Sequence, residues 1–418
     1  MVRAYFNFRM GNKLEEYIGE RQVEGVALSK KALMPECSEA ENGAKLWRAA
    51  EALFPQEGVD VALLRDTMGS IFDGSSITEE DKEKLKNMIV KNARVFEFMQ
   101  EASEKPCFRY GDWSKNLFDM KIPDAVKMIN AIRLLGIEAV FKAEQGRVLE
   151  AIDQIRWAKN LVQKTMDEPL LITGLLAVAN MKYLQTCLMR IIIGREIDPD
   201  TLRSLMLGLN PEAWREMFAR GIQGERVFLL ENALELLEGN RDVLEDKWAE
   251  RILFWIIRPV TKADILWAQK MFDKVEAVSI LPYYKIKESH KDITEEIESI
   301  PWYFRLSGRL FPNFYASWLK EAILESMMGT TRVGLGCKIY KNQEGRFPEK
   351  ISDLVPEILD KEPLDPFTGN PYIYKLQEHG FIVYSVGSNE IDDEGRGTFQ
   401  VTQMVMEKDD DWAWREKE

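Results

Sequence analysis

Apolar residues recur at helical spacing along most of this chain, and the pattern changes character once, near Asn313. Ala44, Leu46, Trp47, Ala50, Leu53 and Phe54 mark an amphipathic helix, with a start signal in Cys37-Ser38-Glu39-Ala40-Glu41-Asn42 and a stop at Pro55. A second start signal at Ser76 leads into a helix carrying Leu85, Met88, Ile89, Ala93, Phe96 and Met99. The signal is strongest over residues 124–195. Ala131, Leu134, Leu135, Ile137, Ala139, Val140 and Ala143 fill one helix, Gln145-Gly146 breaks it, and Ala151, Ile152, Ile155, Ala158 and Leu161 fill the next. Pro169 opens a helix running through Met189 and Ile193. Pro211 stands in the first turn of another, through Trp214, Phe218, Ile222, Phe228, Leu229 and Leu236, with Gly239-Asn240 as its stop. Trp248 to Val278 is again helical, with a break expected at Pro259. Its aromatic residues Phe254, Trp255, Trp267 and Phe272 read as core. Residues 1–40 read as a mixed arm. Residues 280–312, with Pro282, Pro301, Pro312 and many aromatics, read as a linker packed on the helical body rather than a free tether.

From Asn313 the order of elements differs. Phe314, Trp318, Leu319, Ile323, Met327, Val333, Leu335, Ile339 and Tyr340 predict one long helix, ended by Gly345. Phe347-Pro348 enforces an extended segment. Ile351, Leu354, Val355, Ile358 and Leu359 predict a short helix, and Asp365-Pro366 with Thr368-Gly369-Asn370-Pro371 are paired turn signals. Tyr372 to Leu376 and Phe381 to Val386 then alternate as the two strands of a hairpin turning at Gln377–Gly380. The fold class is therefore mainly α: an α-helical body over residues 41–312, preceded by the arm, and a small α+β domain with an antiparallel sheet over 313–418. The small residues Ala139, Gly146, Ala151 and Ala158 fall where a tetratricopeptide-like, α-solenoid-like hairpin needs close helix approach; an ordinary antiparallel helix pair accounts for them equally.

The C-terminal motifs carry a family resemblance. Tyr340 to Pro348, Asp365 to Tyr374 and Tyr384-Ser385-Val386-Gly387-Ser388-Asn389 resemble the helix end, turn-and-strand and loop-entry strand of type II secretion major pseudopilins. The resemblance covers about the last hundred residues. It implies a calcium loop. Carried over by position, the ligands would be the Val386 carbonyl, the Asn389 side chain and carboxylates from Asp392 and Asp393 or from Asp409, Asp410 and Asp411. Oxygen donors of this mixture on a loop suit calcium. Asn389 stands where the family commonly places Asp, which removes one charge. The apolar N-terminal helix that anchors and polymerises a pseudopilin has no counterpart here, so the resemblance points to an envelope protein with a pseudopilin-like tail rather than to a filament subunit.

Composition changes this picture in three ways. The 418 residues carry a net charge of −13, which argues against nucleic acid as a partner and against docking on an anionic membrane. Cys37, Cys107, Cys187 and Cys337 form no Cys-x-x-Cys pair. Cys187 and Cys337 read as buried thiols, and Cys37 and Cys107 could bridge in an oxidising envelope. No run of eighteen apolar residues occurs, so an anchor would have to come from a segment outside this chain.

Catalytic raw material is sparse. The two histidines, His290 and His379, lie far apart, and nucleotide-binding, nucleophile-elbow and zinc motifs do not occur. The expectation is a non-enzymatic periplasmic or otherwise extracytoplasmic protein whose helical body binds a protein partner, with calcium stiffening its tail. A helical cell-wall hydrolase of the lytic transglycosylase kind, with Glu138 as its acid, and a cytosolic helical scaffold are the alternatives.

Overall fold

A computed structural model of the chain describes residues 2–34, 36–54, 59–113, 120–238, 248–304, 307, 311–397 and 411–417. Among the described residues there are fourteen α-helices and one three-stranded antiparallel sheet. In chain order the helices are α1 (Val2–Val23), α2 (Lys30–Leu33), α3 (Ala44–Leu53), α4 (Val61–Asp73), α5 (Glu79–Lys91), α6 (Ala93–Glu104) and α7 (Ala125–Glu144). They continue with α8 (Val148–Lys164), α9 (Leu171–Ile192), α10 (Pro199–Leu207), α11 (Pro211–Glu238), α12 (Trp248–Ser279), α13 (Tyr283–Glu298) and α14 (Phe314–Glu344). The strands are β1 (Ile373–Gln377), β2 (Gly380–Ser385) and β3 (Trp412–Lys417).

The start and stop signals work locally as caps. Thr78 accepts from the Asp81 amide at 3.2 Å, Asp124 from Val126 and Lys127 at 3.0 and 3.1 Å, and Asn313 from Ala316 at 3.0 Å. Each such cap is worth about 1 kcal/mol. Gly345, at φ +75°, closes α14 in the left-handed conformation that glycine tolerates best.

Several expectations require correction. The arm is largely helix, because α1 lays Leu14 and Tyr17 against α11 and α12. The segment from Ser76 is two helices, divided at Asn92, whose side chain bonds the Met88 carbonyl instead of letting the turn continue. Pro259 lies inside an unbroken α12. Tyr283–Glu298, expected as irregular linker, is a helix seated through buried Tyr283, Ile286 and Ile293. The short helix after Pro348 is only a 3₁₀ turn, Ile351–Leu354. The Gly239-Asn240 stop and the side chains of Phe254 and Trp255 lie outside the described residues; Phe272 is fully buried and Trp267 half-buried.

One hydrophobic core runs from Ala44 to Trp414 and crosses the position 312/313 without interruption. Its axis is formed by α9 and α14. The first is apolar enough and long enough to cross a membrane, but 78% of its apolar window is buried among α4, α7, α8, α11 and α14. Helix α14 rests on α9, α10 and α11 with one face and on β2 and β3 with the other. That second contact depends on missing side chains. A Cβ at Gly334 would stand 2.4 Å from the Trp414 ring, and one at Gly329 would stand 2.0 Å from the Tyr372 hydroxyl. Glu416 on β3 fastens the joint: it takes Lys338 of α14 at 2.8 Å, the Gly194 amide after α9 at 2.8 Å and the Trp414 indole at 3.0 Å.

A second knot ties the N-terminus in. Arg226, fully buried on α11, donates to Tyr17 of α1 at 2.6 Å and to Gln269, Asp273 and Glu276 of α12 at 2.9–3.0 Å. A Cys37–Cys107 disulfide, Cα–Cα 6.1 Å, joins the segment before α3 to the loop after α6. That loop is held further by Glu168, whose carboxylate accepts from the amides of Tyr110 at 2.6 Å and Gly111 at 3.0 Å and from the Trp113 indole.

Candidate functional site

Strand β2 delivers the chain into the acidic loop. Asp365, buried in the turn before β1, accepts from the Val386 amide at 3.0 Å and the Phe367 amide at 2.9 Å, which fixes where the loop leaves the sheet. Burial pushes its carboxyl up, against the opposing pull of those amides. Beyond Gly387 the backbone folds back on itself, with Glu390 at φ 57° and Glu394 at φ 59°, an uncommon conformation for residues with a Cβ. Asn389 sits at the centre: its side-chain amide donates to Asp393 at 3.0 Å and its oxygen accepts from the Ile391 amide at 2.9 Å. Asp392 accepts from the Tyr384 hydroxyl at 2.8 Å and the Glu394 amide at 2.9 Å. Burial pushes Asp392 up, but those bonds and Lys375 outweigh it and leave the carboxyl below its ordinary range.

Asp411, just ahead of β3, closes the loop from the other side. Its Oδ2 accepts from the Gly395 amide at 2.6 Å, whereas its Oδ1 is buried and finds no hydrogen-bond partner among the described residues. Burial, then the neighbouring Asp393 and Asp392, push this carboxyl up to about 7. An orphaned buried oxygen beside two further carboxylates is an electrostatically unbalanced arrangement.

Of the expected ligands, the fold therefore gathers Asn389, Asp392, Asp393 and Asp411 around one loop, and Val386 enters it through its amide bond to Asp365. Asp410, with Asp409, lies outside the described residues. The donors are all oxygen, which suits calcium, yet among the described residues no three Asp, Glu, His or Cys side chains form a metal-holding group. Strand β3 itself was not anticipated; Trp412 and Trp414 give it alternation that the acidic run ahead of them obscures in sequence.

A second concentration of charge lies deeper, at residues that no sequence motif marks. Glu321 and Glu325, one turn apart on α14, are 4% and 8% exposed. Arg215 of α11 meets Glu325 at 2.6 Å, while Glu325 Oε2 is buried without a partner among the described residues. Burial holds both carboxyls above their ordinary range; Glu325 raises Glu321 further, and Arg215 opposes the shift at each. Asp365 adds to the field at Glu325, so this junction touches the helical body, the long helix and the turn before the sheet. The available signal was an i, i+4 pair of acids set among Leu319, Ala322, Leu324 and Met327. Glu138, by contrast, is a paired carboxylate at the edge of α7, meeting Lys142 at 3.1 Å and the Gln154 amide at 2.9 Å.

The fold and site together define a mainly helical protein whose C-terminal sheet and acidic loop are built onto a shared core. No protein-family profile, curated protein or solved structure matches the chain.

Proposed function

We propose that this is a non-enzymatic, extracytoplasmic binding or scaffold protein, in which the helical body takes a protein partner and the pseudopilin-like tail is stiffened by calcium. The observation that carries the calcium reading is the buried Asp411 Oδ1, without a hydrogen-bond partner among the described residues, beside Asp392 and Asp393. Asp411, Asp393, Asp392 and Asn389, with the Val386 carbonyl and Asp410, would hold the ion, whose charge would offset the crowding of carboxylates. The compartment is supported by the Cys37–Cys107 disulfide, a bond favoured in oxidising surroundings. The α7–α8 pair, turning at Gly146 with φ +83°, is read as a tetratricopeptide-like hairpin. The hydrolase alternative draws less support, because Glu138 is ion-paired and the perturbed Glu321–Glu325 pair is sealed from solvent.

Calcium titration followed by thermal shift tests the reading. Saturation to about a hundred times Kd should add about 2.7 kcal/mol, or roughly 5 °C in a chain of this size. Asp411→Asn should abolish that gain. An unchanged melting temperature at millimolar calcium would remove the calcium claim, and fractionation of the native protein into the cytosol would remove the extracytoplasmic one.

A further inference from the structure

The end of the molecule formed by the N-terminal halves of α1 and α12 has a chemistry opposite to the chain as a whole. The two helices run parallel: Lys262 of α12 donates to the Asn7 carbonyl at 3.3 Å, and farther along Tyr17 donates to the Gln269 carbonyl at 3.0 Å. Their N-termini therefore share one end. There α1 leaves large aromatics in solvent, with Tyr5 and Phe8 each 65% and Phe6 42% exposed. Arg9 and Lys13 are exposed beside them. Across from them stand Lys262 and Arg258, close enough that Arg258 helps hold the Lys262 amine below its ordinary range, second to burial, with Glu15 opposing.

The sequence of this end is mainly basic, with Glu250 in the first turn of α12 and Glu15 and Glu16 just beyond Lys13 as its nearest acids. Residues 2–13 contain Arg3, Arg9 and Lys13 and no acid; residues 251–262 contain Arg251, Arg258 and Lys262 and no acid. In a chain of net charge −13 this is a localised cationic, aromatic end. Exposed aromatics interleaved with Arg and Lys suit the headgroup boundary of a bilayer, where rings sit among headgroups and cations pair with lipid phosphates.

We propose that this end of the molecule lies against an anionic phospholipid surface, with Tyr5, Phe6 and Phe8 at headgroup depth and Arg9 and Lys13 facing lipid phosphate. The chain-average charge then repels the remainder from the surface and sets the orientation. The surface is remote in sequence from the acidic loop and does not depend on the calcium reading.

Vesicle flotation in EDTA tests it, with phosphatidylcholine–phosphatidylglycerol vesicles against phosphatidylcholine alone. The protein should float with the anionic vesicles and much less with the neutral ones. Arg9→Gln with Lys13→Gln should lower the partition coefficient roughly fivefold per charge. Tyr5→Ser with Phe8→Ser should lower it about tenfold or more. All four positions are exposed, so circular dichroism should match the parent. Trp302→Ser, at an exposed aromatic on another segment, should leave flotation unchanged. Absence of flotation with anionic vesicles, or flotation indifferent to both double variants, overturns the proposal. So does a dimer seen by light scattering that Phe8→Ser dissolves, which would assign the surface to a second copy of the chain.

Discussion

Replacing Arg215 by Met removes the guanidinium that meets the Glu325 carboxylate, at 2.6 Å, while keeping most of the apolar stem. Glu325 would then be a buried acid with one oxygen already unpartnered among the described residues and with Glu321 and Asp365 in its field. Breaking a buried pair from one side costs about 3–5 kcal/mol at neutral pH, and roughly 2 °C of melting temperature per kcal/mol in a chain of this size gives about 6–10 °C. The cost must depend on pH. Both carboxyls already have folded-state values above the ordinary 4.5, so the parent loses stability as pH rises from 4.5 through those raised values. Without Arg215 the folded value of Glu325 rises further, and the loss extends to higher pH. Below 4.5 both states of both proteins are protonated, and only the packing difference should remain. Urea titrations at acidic, neutral and alkaline pH measure this directly. Arg215→Met with Glu325→Met should recover most of the stability, because the pair rather than its apolar replacement carries the desolvation penalty. Equal destabilisation at every pH, or additive effects in the double variant, would refute the reasoning.

Reduction of Cys37–Cys107, or Cys37→Ser with Cys107→Ser, releases a closed loop of 70 residues' separation and should cost about 4 kcal/mol, read by urea denaturation with and without reductant; coincident curves would contradict it. Gly334→Ala puts a methyl 2.4 Å from the Trp414 ring and should destabilise by about 1–3 kcal/mol, with unchanged melting as the contrary result. Burial drives the Lys159 amine on α8 down from 10.5 to about 7. Because its folded value is depressed, parent stability should rise with pH between about 7 and 10.5, and Lys159→Met should flatten that rise and add ~3–5 kcal/mol at neutral pH; a parent whose stability is flat over that window would exclude the effect.

The elements legible in sequence are those whose signal is local. Asn313 and Gly345 bracket α14, Gln145-Gly146 separates α7 from α8, and the hairpin between β1 and β2 follows from its turn residues, because caps and turns act within a few residues. What escaped was decided by tertiary contact. Pro259 looks like a break, but the continuous α12 is held by Arg226 and Tyr17 from two other helices. Tyr283–Glu298 looks irregular because Pro282 and Pro301 flank it, yet proline at a helix entrance is compatible with the helix it precedes. Tyr283 then finds Phe367 at a ring distance of 5.5 Å, a partner 84 residues away in sequence that no local pattern reveals. At the loop, Asn389, Asp392 and Asp393 were visible as a run. The position of Asp411 opposite them depends on β3 pairing with β2, a long-range register.

That register also fixes how the tail is tied to the helical body. Among the described residues, α14 is held from several sides. Thr331 accepts from Gln185 of α9, Glu325 is clasped by Arg215 of α11, and Lys338 is locked to Glu416 of β3. Withdrawing α14 from α9–α11 would bare fully buried residues such as Ala322, Met327, Met328 and Val333. At about 25 cal/mol per Å² of apolar surface, several side chains of that size outweigh the marginal stability of a small domain. The same close approach that lets Trp414 lie over Gly334 then acts in both directions: the sheet is seated on a helix that the body already holds, so the acidic loop at the sheet's end is positioned by the whole molecule.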